Sequence, residues 1–180
     1  MRVPAVPSRP AGERGRVVIA LGIDCATSSG WALVEATGGH ERLLADGVID
    51  LTIPDFWMEI KRLADASYWE TETKIPDIVA IELPWLGKNA HTLEVLARLC
   101  GRFEQAFEPT GAKVQVVRAS EWQSSILGRF GGKTRAGLKL AAIAWAKGTF
   151  GVSLPSDAAD AAGLACWALR TTRARKLGIR

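Results

Sequence analysis

Two of the most apolar stretches of the chain run straight into a carboxylate. Val17–Ile23 (VVIALGI) is followed by Asp24, and Asp77–Glu82 (DIVAIE) ends on Glu82. Neither run alternates apolar with polar residues. Continuous β-type runs of this kind are buried on both faces, so they predict central strands with helices on either side. The carboxyl ends of such strands border the functional crevice of an open α/β sheet. If the two strands are neighbours, Asp24 and Glu82 stand about 5 Å apart, the spacing of adjacent strands.

The remaining pattern fits the same class. Gly30–Glu35 and Arg42–Asp50 read as two strands joined by a turn at 37–40, and Ala112–Val117 as a fifth. Pro54 opens a helix to about Thr73 with Phe56, Ile60, Leu63 and Ala64 on one face. Asn89 caps a second helix reaching about Phe107. Two more run from about Lys133 to Lys147 and from Ser156, as N-cap, to about Arg173. The order β-β-β-α-β-α-β-α-α predicts an α/β fold, a five-stranded mixed sheet flanked by helices on both faces. At 180 residues the chain is one domain, expected over 17–172, between a flexible basic arm (1–16) and a basic tail (173–180).

Charge is unevenly spread. The net charge is +4, yet residues 118–147 carry six Lys and Arg against Glu121 alone, and both chain ends are basic. Basic segments on an acidic body indicate a polyanionic partner. Nothing approaches the ~18 consecutive apolar residues of a membrane span, and the Pro- and Arg-rich opening lacks the apolar core of a signal peptide, so the expected location is the cytoplasm, without a membrane. Cys25, Cys100 and Cys166 have no CxxC spacing and, with His40 and His91, build no zinc site.

Two further acids lie in Ser156-Asp157-Ala158-Ala159-Asp160, where i and i+3 share one helical face. A helix N-terminus favours Asp157 by ~0.3–1 kcal/mol, which alone would account for it. Asp160 lies in AADAAGLACWAL, small or apolar on all sides, and a buried aspartate needs a partner or a metal. Four converging acids would repel and raise each other's pKa values. Hard divalent cations relieve that repulsion, and oxygen-only ligation selects Mg²⁺ or Mn²⁺. Two such ions ~3.5–4 Å apart serve phosphodiester cleavage. Basic segments with an acidic metal site indicate a nuclease.

The segments ALGIDCATSSGWALV, AIELPWLGKNA and SDAADAAGLA, in this order, resemble the RuvC-type Holliday-junction resolvases over about residues 17–170. The resemblance implies an RNase H-like fold and catalytic metal ligands at Asp24, Glu82, Asp157 and Asp160. It also implies a homodimer that nicks opposed strands of a four-way DNA junction. Three positions depart from the family pattern: Cys25 where a proline follows the first aspartate, Pro84 after the glutamate motif, and Trp122 where a basic residue is expected.

Other segments have candidate roles in binding. The glycine-rich loop before Thr134 fails as a Walker A motif because position 127 is Leu, but it can offer Lys133 to a phosphate, beside Arg129 and Arg135. The family places an important lysine at the position of Lys133, which adds a catalytic role for it. Trp85 can stack on an unpaired base near Glu82, with Lys88 close in sequence. In helix 89–107, Leu93, Leu96, Cys100, Phe103 and Phe107 form an apolar stripe with Val95 and Leu99 beside it, wide enough to serve both a sheet and a second chain. Three other functions remain open on these residues: a nuclease for flaps or other branched DNA, a non-catalytic DNA-binding protein, and an actin- or sugar-kinase-like ATPase fragment.

Overall fold

The structure, a computed structural model, describes residues 17–52, 55–65, 75–84, 89–128, 134–176 and 178. β1 (Val18–Asp24) is the central strand of a five-stranded mixed sheet. It pairs antiparallel with β2 (Ser28–Thr37) and parallel with β4 (Ile78–Glu82). β3 (His40–Asp50) lies antiparallel outside β2, and β5 (Lys113–Val117) parallel outside β4, giving the order β3-β2-β1-β4-β5. The β2–β3 hairpin extends beyond the expected strands because pairing continues to Thr37 and His40. Its turn uses Gly38 and Gly39 at φ 60° and 91°, the left-handed region that a tight two-residue hairpin needs.

Helices cover both faces, as expected. α1 (Phe56–Ala64) and α2 (Ala90–Phe107) cover the face bearing Ile19, Leu21, Ile23, Val79 and Ile81. α3 (Ala119–Ile126), α4 (Arg135–Phe150) and α5 (Ser156–Lys176) cover the face bearing Ala20, Ala32, Val34, Ile78 and Ala80. The Asn89 cap forms as expected, its side chain accepting from the backbone N–H groups of His91 and Thr92.

Several boundaries differ from expectation. α1 ends at Ala64, where Asp65 turns extended; residues 66–74 and Pro54 lie outside the described residues, as does the arm 1–16. α3 is a separate helix that the sequence pattern did not separate, because eight residues with two buried side chains (Trp122, Ile126) carry little periodicity. α4 begins later, on the Thr134 cap, and runs to Phe150 before Gly151 stops it in a left-handed conformation. α5 continues through the first residues of the expected tail, to Lys176.

α5 lies directly on the sheet because two strand glycines make room. A Cβ at Gly22 would collide with the Ala161 carbonyl, and one at Gly30 with the backbone of Asp157. Small residues on the helix complete the fit: Ala158, Ala161, Ala162 and Ala165 are all buried against it. This close approach brings the first turns of α5 over the end of β1. Among the described residues, no helix is long and apolar enough to cross a membrane.

Candidate active site

Ile23 of β1 is in register with Ile81 of β4, so Asp24 and Glu82 each stand one residue further along adjacent parallel strands. Side chains alternate along a strand. Ile23 and Ile81 belong to the core under α1 and α2, which turns Asp24 and Glu82 to the α5 side. The i, i+3 spacing in α5 brings Asp157 and Asp160 to the same place. Three separate segments thus bring all four expected acids together.

The acids lie near enough for their charges to act on one another. The Asp24 carboxyl is pushed up to about 8, by burial first and then by the charges of Glu82 and Asp160. Asp160, buried at the base of the group, is pushed up to about 7 by burial, with Glu82 and Asp157 adding and Lys139 opposing. Burial also raises Glu82, against a hydrogen bond from Trp122 and the charges of Arg135 and Lys139. The acids are short of positive charge.

Lys139 of α4 supplies part of it. Its Nζ lies 2.5 Å from Asp157 Oδ1, 4.0 Å from Asp160 Oδ2 and 2.9 Å from Ser156 Oγ. Sequence reasoning missed this role, counting Lys139 only among the six basic residues of 118–147. A lysine interrupting an otherwise apolar helix was the available signal. Ser156, expected as an N-cap, has its hydroxyl on Lys139 and Asp157 instead, because the helix already starts with the Ala159 N–H donating to the Pro155 carbonyl.

Trp122 also differs from expectation. It is wholly buried, and its indole N–H donates to Glu82 Oε2 at 2.6 Å. It therefore faces the acids and not a DNA surface. Arg135 is exposed at the start of α4, and its charge favours the ionised forms of Glu82 and Asp160. Cys25 is buried behind Asp24, with its thiol directed at the Leu96 carbonyl of α2 at 3.6 Å. Trp85, Lys88, Arg129 and Lys133 lie outside the described residues. On α2, Leu99, Cys100, Phe103 and Phe107 are buried against the sheet, whereas Leu93 and Leu96 are half-buried and Val95 is exposed.

Among the described residues, no three His, Cys, Asp or Glu side chains stand ready-made as a metal-binding group. Lys139 holds Asp157 in an ion pair instead. The donor set nonetheless fits a hard divalent cation in its chemistry: it is all oxygen and partly buried, and two of its carboxyls, Asp24 and Asp160, are raised by burial and by the neighbouring acids.

No family model matches the chain. The crossover junction endodeoxyribonuclease RuvC of Chloroflexus aurantiacus is 28% identical over 165 residues, covering 89% of this chain and 98% of that protein. RuvC of Porphyromonas gingivalis is 33% identical over 85 residues, 46% of this chain and 45% of its own length. A structure of T. thermophilus RuvC in complex with a Holliday junction substrate has a TM-score of 0.68 at 20% identity, covering 87% of this chain and 95% of that one. Another Thermus thermophilus RuvC structure has a TM-score of 0.65 at 20% identity, with 86% and 97% covered. The chain is therefore similar to RuvC along most of its length and shares the RNase H-like fold of T. thermophilus RuvC.

Proposed function

We propose that this chain is a crossover-junction endonuclease that resolves four-way DNA junctions, with Asp24, Glu82, Asp157 and Asp160 as its catalytic acids. The observation that carries this reading is the meeting of those acids, drawn from β1, β4 and α5, on one side of the sheet. The acids would hold divalent cations, Mg²⁺ with Mn²⁺ as a substitute and two per site. Such ions supply Lewis-acid activation of water and charge neutralisation at a phosphodiester.

The protein's own groups divide the remaining work. Lys139 keeps Asp157 and Asp160 from repelling each other in the metal-free chain. Arg135, near the acids and exposed, reaches phosphate oxygens together with Lys88, Arg129 and Lys133, and Lys133 also serves the cleavage step. Trp85 stacks on a base freed at the branch point. The partner is branched DNA, as in the complex of T. thermophilus RuvC with a Holliday junction substrate. The chain works as a homodimer in the cytoplasm, through helix 89–107, where exposed Val95 and half-buried Leu93 and Leu96 extend beyond the buried stripe.

Labelled four-way, three-way, flap and duplex DNAs, incubated with Mg²⁺ and with EDTA, test the reading. Paired nicks in opposed strands of the four-way junction, lost in EDTA, are expected. Equal cutting of flaps would widen the substrate class, and binding without cleavage at any Mg²⁺ concentration would refute the catalytic reading. Light scattering should give twice the 19.4 kDa chain mass.

A further inference from the structure

An indole N–H only donates, and a buried one needs an acceptor. The wholly buried Trp122 of α3 finds it 40 residues away in sequence, in Glu82 Oε2 of β4. The ring cannot pivot out of this bond. Gly163 of α5 lies against its edge, where a Cβ would stand 2.6 Å from Cζ3 and 3.2 Å from Cε3. The missing side chain at 163 is what lets the ring reach this depth. Three elements therefore hold one bond, and one of them, α5, also carries Asp157 and Asp160.

The consequence falls on Glu82. A glutamate side chain has several rotatable torsions, and freezing them before a ligand arrives lowers the cost of binding. With one lone pair of Oε2 engaged by the indole, the Glu82 carboxylate is held in one orientation toward the acid cluster. Partners of this kind, one step removed from a metal, commonly change its affinity 10–100-fold.

We propose that Trp122, seated on Gly163, is a positioning residue that holds Glu82 by Oε2 and so fixes the carboxylate with which Glu82 would ligate a divalent cation. This rests on Glu82 being one of the metal-holding acids of the nuclease site. It also gives the departure from the family pattern at position 122 a role inside the site.

The test uses the full chain with ¹⁵N in its seven tryptophan indoles. One indole resonance should disappear in Trp122→Phe; in the wild type it should move when Mg²⁺ is added, and in Glu82→Gln it should not. Trp122→Phe keeps most of the ring and loses the donor. By calorimetry it should bind Mg²⁺ about tenfold more weakly. Its junction affinity should hold, and its cleavage should recover when Mg²⁺ is raised. Gly163→Ala displaces the ring without altering any acid and should show the same weakening. It carries the test should Trp122→Phe not fold, with the resonance then identified through Glu82→Gln. The proposal is overturned if Mg²⁺ binds the wild type through Asp24 while the indole resonance stays still and both variants bind Mg²⁺ normally; the nuclease reading then survives. A wild type that binds no divalent cation and cuts no DNA removes the nuclease reading and the positioning role with it.

Discussion

Asp24→Asn should stabilise the metal-free protein at neutral pH, even though it removes one of the acids proposed to be catalytic. At pH 7 the unfolded chain carries Asp24 as a carboxylate. The folded chain holds it as the acid, because burial, then Glu82 and Asp160, push its pKa from 3.8 to about 8. Folding therefore takes up a proton roughly three pH units above the group's ordinary range, which costs about 4 kcal/mol at 1.36 kcal/mol per unit. Asparagine is neutral in both states and avoids that cost. It buries an amide without arranged partners instead, at about 1–3 kcal/mol. The net is about 2 kcal/mol in favour of the variant, or about 5 °C in Tm for a domain of this size. The sign follows from the raised pKa: wild-type stability from this group is intact below about pH 4 and is lost as pH rises to about 8. Calorimetric melting in EDTA should show no advantage for the variant near pH 4.5 and a rise of about 5 °C near pH 7.5. Mg²⁺ should then raise the wild-type Tm and leave the variant's unchanged. A variant that melts below wild type near pH 7.5 in EDTA, or a gap that ignores pH, would refute the reasoning.

Four further outcomes are expected. Glu82→Gln, Asp157→Asn and Asp160→Asn each remove a negative charge at nearly constant volume, so cleavage should vanish while gel-shift affinity for the junction persists; a folded variant that cuts normally removes its residue from the site. Lys139→Met strips Asp157 and Asp160 of their cation and should lower stability in EDTA by about 1 kcal/mol, a modest figure because the pair is a third exposed, with Mg²⁺ restoring the loss. Lys133→Ala should slow cleavage and reduce the slope of binding against salt by about one, whereas unchanged rate and slope would make the loop a bystander. Trp85→Ala should depress junction cleavage and leave duplex affinity alone, with Trp85→Phe retaining much of the activity; normal junction cleavage by Trp85→Ala would end the stacking role.

The strand ends were legible because their signal is local. A buried strand advertises itself by a run of apolar side chains, and Asp24 and Glu82 are conspicuous as the residues on which such runs stop. Asp157 and Asp160 were legible for a similar reason, since i and i+3 are neighbours on any helix. A mixed sheet was within reach too, because three strands in series followed by alternating helices and strands allow few other arrangements; the order β3-β2-β1-β4-β5 came only from the structure.

The partners of those acids were not legible. Lys139 sits in a helix whose own periodicity says only that one face is buried, and Trp122 in one too short to show a period. Whether that face meets a sheet, another helix or a carboxylate depends on how α3 and α4 pack around α5. That packing depends in turn on the absence of side chains at Gly22, Gly30 and Gly163, and an absence has no periodicity to read. The sequence by itself determined which acids exist and on which elements they end. Only the tertiary structure decided which cation and which donor face them, because ion pairs and hydrogen bonds are made across space by groups that lie 18 and 40 residues apart along the chain.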